Sequence, residues 1–432
     1  MYTSPSGPAT FSMESTESSP LRANRPKKWR NMVAYWLLGL CNNYGYVVML
    51  SAAHDVLEKT DHSASDDIPQ RNSTERLCNT MSTGTILLAD ILPSLFVKVI
   101  APFLPFFVHI RVLIVILLSC AGFLLVAFTT APWMAILGVV STSFASGLGE
   151  LTFLAYSHKF ERSSISMWSS GTGGAGVFGA GSYAGLTALG LSSKSSLLLM
   201  LIVPVIMGLS FWLLLKHPGR ISCCSDDGSL IIQNEDSPTN IVEADESVQD
   251  SNDQSVIHSF YRKLCDIPPL FRYMIPVGLV YLFEYFINQG LFELIYFEGL
   301  SIDHKEQYRW YQLDYQIGVF ISRSSASFFT LKKIWLMAVF QFLNVIIFTF
   351  EAIYFYIPNI WIVFALILWE GTLGGAAYVN TYYRIANEVA PEKKEFSLSI
   401  TTLADAIGIG LAGAISIPVH NIICKMPAPT RL

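Results

Sequence analysis

Among the ionisable side chains that fall inside long apolar runs of this chain are Asp90, Lys98, Glu150, Glu284, Asp314, Glu370 and Asp405. In a hydrocarbon core each would cost at least ~2.5–3.5 kcal/mol, so such groups pair inside a helix bundle or serve a path for a solute or ion. Glu284 and Glu370 sit near the middle of their runs. Lys98 and Glu150 sit nearer one end, where a side chain can reach the interface. The richest polar constellation is YLFEYFINQGLFEL at 281–294. At about 100° per residue, Tyr281, Glu284 and Asn288 share one helix stripe, with Gln289 beside it. The stripe offers a phenol, a carboxylate and an amide to one volume, which suits a polar solute with several hydrogen-bonding groups. A polar clamp between two helices would use the same residues. Asn42, Asn43 and Tyr44 form a comparable set in an earlier run. The acids could also carry protons between an acidic compartment and a neutral cytosol.

Other motifs carry less. GTGGAG at 171–176 matches the letters of a dinucleotide fingerprint, but that site needs a strand before it and a helix start after it, and this run is apolar on both sides. His54, Asp61 and His62 lie close together in a polar segment without the further ligands of a metal site. No zinc-protease motif, paired CxxC, phosphate-binding loop or nucleophile elbow is present. Nothing points to an enzyme, a cofactor or a metal.

The elements that must hold these residues are apolar stretches at 33–53, 84–106, 111–130, 132–155, 166–190, 196–215, 272–297, 308–324, 334–356, 359–381 and 396–420. Each has about the length that crosses a ~30 Å hydrocarbon core as an α-helix, 308–324 being the shortest and most polar. Composition agrees: 14% of residues are charged and 52% hydrophobic, against about 25% charged in soluble proteins. With the amino terminus in the cytosol, the cytosolic segments hold 18 Lys and Arg and the opposite side 8. The positive-inside rule therefore favours an amino terminus inside and a carboxyl terminus outside. The net charge of −5 comes from acids concentrated in two loops and gives no nucleic-acid footprint.

The expected organisation is a disordered cytosolic tail (1–30), a six-helix half (31–216) with a luminal loop at 54–82, a disordered acidic linker (217–268), a five-helix half (269–424) and a luminal tail (425–432). The loop carries a glycosylation sequon at Asn72 on the side that the charges make non-cytosolic. Cys223 and Cys224 follow a cytosolic helix end, where palmitoylation or plain thiols would both fit. Cys78 and Cys424 share the outer side, where they could pair. The halves echo each other: SGLGELTF (146–153) resembles GTLGGAAY (371–378), six helices later. Parallel six-helix repeats around a central cytosolic loop describe the major-facilitator architecture, with one helix fewer here. Gly171, Gly173, Gly174, Gly176, Gly179 and Gly181 would let neighbouring helices approach closely.

WLLGLCNNYGYVVMLSAAHD (36–55), LLADILP (87–93), SSGTGGAG (169–176), EYFINQGLFEL (284–294), QYRWYQ (307–312), SRSS (322–325) and EGTLGGAAYVNT (370–381) together resemble the battenin family of lysosomal membrane proteins. The resemblance covers nearly all of 29–424. It implies an eleven-span, major-facilitator-like protein of late endosomes and lysosomes that exports glycerophosphodiesters, with effects on lysosomal pH and trafficking. In this reading Glu284 and Tyr281 hold a substrate ammonium. Asn288, Gln289, Asn42 and Asn43 bond the glycerol, and Lys98 offsets the phosphate. Some members end in a prenylation box, whereas Cys424 here is followed by KMPAPTRL. A lysosomal address is also legible: Asp226, Leu230 and Ile231 fit an acidic dileucine signal that clathrin adaptors read. The competing functions are a non-transporting trafficking scaffold and a carrier of basic amino acids or nucleosides.

Overall fold

The computed structural model describes residues 25–62, 76, 83–217, 220–222, 231–233, 261–300, 302, 304–325, 331, 333–427, 429 and 431. Asn72, Asp226, Leu230, Cys78, Cys223 and Cys224 lie outside the described residues, as does the tail before residue 25. Of the dileucine pattern only Ile231 is described, in a short strand.

Long apolar runs without interior turn signals become helices, and the described residues form α1 (Arg25–His62), α2 (Thr83–Ile100), α3 (Val108–Ala127), α4 (Pro132–Tyr156), α5 (Ser163–Ala188), α6 (Ser193–Leu214), α7 (Phe271–Phe286), α8 (His304–Ser324), α9 (Ile334–Tyr354), α10 (Ile360–Glu388) and α11 (Pro391–Cys424). Each of the eleven expected stretches holds one of them. Among the described residues, the runs at α3, α4, α6, α7, α9, α10 and α11 are long and apolar enough to cross a membrane by length and composition.

Local chemistry sets the ends. Pro102 and Pro105 stop α2, a turn before the 106 expected. The Arg111 guanidinium then donates to the carbonyls of Ala101, Leu104 and Pro105 at 2.7, 3.1 and 3.2 Å, tying the connection to the start of α3. Ser192 caps α6 by accepting from the Ser195 amide, and Asn359 caps α10 by accepting from the Trp361 amide. Gly190, at φ +88°, closes α5 in the left-handed conformation that glycine adopts without strain.

Three expectations change. α1 begins at Arg25, inside the segment 1–30 that was expected to be a disordered tail. The segment 54–62, read as the start of a loop, continues α1, because AHDVLEKTDH contains no Gly or Pro to interrupt it. The segment 217–268, read as disordered throughout, contains a short antiparallel pair, β1 (Arg220–Ser222) with β2 (Ile231–Gln233), in which Ile221 faces Ile232. β-branched residues favour that extended pairing.

The packing has the symmetry of a repeat. α1 packs on α5 as α7 packs on α11, and α2 packs on α4 as α8 packs on α10. The halves meet where α2 lies on α11 and where α8 lies on α5, two contacts related by the same shift of six helices. Small residues permit the closest crossings. A Cβ at Gly39 or Gly171 would collide with the backbone of the facing helix in the α1–α5 pair, and Gly278 with Gly408 does the same for α7–α11. Gly173 and Gly176 of α5 admit Phe320 and Gln316 of α8. Gly181 departs from the expectation, since it faces open space.

Contacts also sort the two ends of the bundle. Arg30 donates to the carbonyls of Leu213 and Leu214, the Tyr156 hydroxyl meets His217, and Lys393 pairs with Asp266 at 2.6 Å. All of these lie at one end. At the other end, Arg76 donates to the carbonyls of Ala352 and Ile353, both at 2.6 Å. Arg431, in the segment expected as a luminal tail, is docked there. Its guanidinium pairs with the fully buried Glu351 at 2.6 Å, bonds the Tyr296 carbonyl at 2.7 Å and lies 3.5 Å from the Phe297 ring centroid. Cys424 is disulfide-bonded, whereas Cys41, Cys120 and Cys265 are free thiols.

Candidate functional site

Two groups of buried polar residues stand out, one between the halves and one within the second half. The first is centred on Lys98 of α2. Its ammonium lies 2.6 Å from a Glu150 oxygen of α4 and 3.3 Å from a Asp405 oxygen of α11. Lys98, Glu150 and Asp405 are all nearly without solvent contact, so the expectation that Lys98 and Glu150 reach the interface is corrected. Asp405 also accepts from the Ala406 amide at 2.8 Å, and Glu150 accepts from the Tyr378 hydroxyl of α10 at 2.6 Å. Bringing such charges out of water is expensive, and mutual pairing with full hydrogen bonding is what makes the burial tolerable.

Tyr378 extends this group to Arg323, near the end of α8. The Arg323 guanidinium lies 4.1 Å from the Tyr378 ring centroid. It donates to the Thr172 hydroxyl of α5 at 2.7 Å and to the Tyr281 hydroxyl of α7 at 2.8 Å. Trp168 of α5 donates to the Tyr378 hydroxyl at 3.3 Å. Four C-terminal helices and three N-terminal ones thus share one polar seam. Arg323 is one of the 18 Lys and Arg that the charge tally assigns to the cytosolic segments. The structure buries it instead, because its face of α8 packs between α5 and α10. An arginine one residue from a predicted span end, flanked by serines and followed by an apolar FF, was the available signal.

The second group holds Glu284 and Glu370. Glu284 of α7 is 1% exposed, accepts a hydrogen bond from Tyr315 of α8, and has its second oxygen unpartnered. Glu370 of α10 is fully buried, accepts from Gln341 of α9 at 3.2 Å, and likewise leaves one oxygen unpartnered. Asn344 donates to Gln341 at 3.2 Å behind it. Asp90 of α2 is fully buried near Tyr46 of α1 and Tyr285 of α7, with no hydrogen bond of good geometry to its carboxylate.

The stripe of α7 is real but bent. From Ile287 to Leu291 the helix widens into a π-turn that carries Asn288, Gln289 and Gly290, a local form common at functional sites. Both amide atoms of Asn288 are buried without a hydrogen-bond partner, and its carbonyl accepts from Gln312 of α8 at 3.1 Å. The Gln289 side chain lies 3.5 Å from the Tyr308 hydroxyl. The Tyr281 and Glu284 side chains therefore turn toward α8, and the main-chain carbonyl of Asn288 meets it. α8 covers the stripe, so these residues lie in an enclosed polar interior. On α1, Asn42 donates to Asn43 and to the Ser146 carbonyl, each at 3.1 Å, and Tyr44 meets Ser182 at 2.6 Å. These bonds keep the α1 set within the first half, and among the described residues no hydrogen bond joins it to Asn288.

The sequence echo has a structural meaning. A Cβ at Gly149 would land on the Asn42 side chain, and one at Gly374 would land on the Glu284 carboxylate. In each half a glycine of the fourth helix makes room for a polar side chain of the first. The GTGGAG run, by contrast, lies wholly inside α5, with no strand before it, which removes the dinucleotide reading.

A family model described as CLN3 protein matches residues 33–426. Battenin of Canis lupus familiaris is 42% identical over 410 residues, covering 92% of this chain and 92% of that protein. Protein btn1 of Aspergillus fumigatus is 36% identical over 429 residues, covering 91% and 88%. Among solved structures, the human organic anion transporter MFSD10 superposes with a TM-score of 0.57 at 11% identity, over 91% of this chain and 95% of that one. A bacterial homolog of the human lysosomal transporter Spinster, inward-facing and unoccupied, gives 0.50 at 13% identity, over 90% and 81%. At such identities these two speak for the fold, which is all-helical, multi-span and major-facilitator-like. The sequence resemblance and the family match coincide over almost the whole chain, and the chain belongs to the CLN3, or battenin, family.

Proposed function

We propose that this protein is a lysosomal transporter that exports glycerophosphodiesters, the deacylated remnants of phospholipids, by alternating exposure of the polar seam between its two halves. The observation that carries the reading is the seam itself. Lys98, Glu150, Thr172, Tyr281, Arg323, Tyr378 and Asp405 come from both halves and converge at the contact that must open and close in a major-facilitator bundle. A trafficking scaffold would have no need of ionisable groups there, and each is unfavourable in a membrane protein without a purpose.

Glu284, Asn288 and Gln289 stand next to the seam on α7, with buried polar atoms on Glu284 and Asn288 that lack partners. In this reading they become accessible when α7 and α8 part, and the carboxylates are candidate proton carriers. The basic end of the bundle faces the cytosol and the Arg76–Arg431 end faces the lumen, with Asn72 glycosylated and Asp226, Leu230 and Ile231 read by clathrin adaptors. The deciding experiment is uptake by purified protein in proteoliposomes, with a panel of glycerophosphodiesters, basic amino acids and nucleosides. Saturable uptake confined to the phosphodiesters is expected. Uptake of none of these solutes would return the protein to the scaffold class, and selective uptake of amino acids or nucleosides would change the substrate.

A further inference from the structure

Two cations lie deep in the seam, and their surroundings differ. Lys98 is matched by two carboxylates, Glu150 and Asp405. Arg323 has only neutral partners: the Thr172 hydroxyl, the Tyr281 hydroxyl and the Tyr378 ring. Among the described residues no carboxylate is within ion-pair distance of it. Glu150 and Glu284 are the acids whose fields reach it. Glu150 is already held by Lys98 and Tyr378, and Glu284 by Tyr315. Arg323 is 9% exposed, and its Nε is buried without a hydrogen-bond partner.

A buried charge without a counter-charge is costly, and its natural complement is an anion. A guanidinium presents donors in a planar fork that matches two phosphate oxygens, and one edge of this fork is unspent. We propose that Arg323 is the anion-binding residue of the seam, taking the phosphate of a phosphodiester through its open edge, and that Lys98 is a closed ion pair with no part in phosphate recognition. Thr172 and Tyr281 hold the guanidinium plane, and the Tyr378 ring supports one face of it. The donors of Arg323 join α5 to α7 and α8, so an anion seated there touches the contact between the halves. The substrate assignment rests on the transport reading above. The anion site does not.

The test measures binding by purified protein in detergent, using glycerophosphoglycerol and, separately, inorganic phosphate, with thermal unfolding of every variant. Arg323→Gln should weaken glycerophosphoglycerol binding at least tenfold, and Arg323→Lys should recover part of the loss by restoring charge without the fork. A folded Arg323→Gln protein with unchanged affinity overturns the proposal. If Arg323→Gln does not fold, Arg323→Lys decides, because full affinity there overturns the need for a fork. If glycerophosphoglycerol neither binds nor is carried, yet phosphate raises the melting temperature only when Arg323 is present, the anion site stands and the substrate reading falls. If no anion affects the wild-type protein, the proposal is wrong.

Discussion

Lys98 and Arg323 are equivalent residues of the two halves. The chain spacing that carries Gly149 onto Gly374 also carries Lys98 onto Arg323. Lys98 of α2 reaches α4 and α11, while Arg323 of α8 reaches α10 and α5, the same two contacts after a shift of six helices. One cation keeps acidic partners and the other has exchanged them for an alcohol and two phenols. The repeat has thus retained the position of a buried charge while separating a closed ion pair from an open one.

Removing Lys98 alone strands two carboxylates in the interior. Lys98→Met should destabilise the protein by roughly 3–5 kcal/mol. The triple change Lys98→Met, Glu150→Gln, Asp405→Asn should recover much of that loss, because no uncompensated charge is left. Thermal unfolding of the variants checks this, and equal destabilisation of the single and triple variants would show that the pairing is not what Lys98 provides.

Glu284→Gln keeps the shape that Tyr315 contacts and deletes the charge. We expect normal melting and localisation, with transport lowered at least tenfold in proteoliposomes. Glu284→Lys should lose more, since it would place a second cation near Arg323. Normal flux in Glu284→Gln, or flux that falls only in step with folding, would make the α7–α8 contact a structural clamp.

A methyl group at Gly374 would meet the Glu284 carboxylate, and one at Gly149 would meet Asn42. Gly374→Ala and Gly149→Ala should each destabilise by about 1–3 kcal/mol, the usual result of overpacking a closed interior. Gly181→Ala faces open space and should be nearly neutral. Melting temperatures that fail to separate the first two from the third would contradict the close approach.

Cysteine labelling tests the ends of the bundle. Without reduction, an impermeant maleimide should modify the exposed Cys265 from the cytosolic side and leave Cys424 unmodified. Labelling of Cys424 before reduction, from either side, would contradict its disulfide. A cytosolic epitope at 427–432 would contradict the proposed orientation.

Sorting and glycosylation are read from sequence. Leu230→Ala with Ile231→Ala should shift protein toward the plasma membrane by microscopy, because adaptor binding buries those side chains. Glycosidase should change the mobility of the native protein and leave Asn72→Gln unchanged. An unaltered distribution would remove the dileucine assignment, and a mobility shift in Asn72→Gln would place the glycan elsewhere.

Hydrophobic run length determined the helices, because a helix satisfies its own backbone and needs only about twenty apolar residues to do so in lipid. The chain therefore announced the long helices of the described residues and the family. The repeat was legible in the glycines of 146–153 and 371–378, because only a missing side chain allows such crossings. Partnership was not legible. Lys98, Glu150 and Asp405 are far apart in sequence and meet only because α2, α4 and α11 pack together. Glu284 was recognised as a functional candidate, but its enclosure by Tyr315 depends on where α8 lies. Arg323 was lost among loop charges, since sequence places a residue by its neighbours in the chain, and its depth depends on where the end of α8 falls within the bundle. Which buried charge is paired and which is left open is a property of packing between helices, and no periodicity within one helix encodes it.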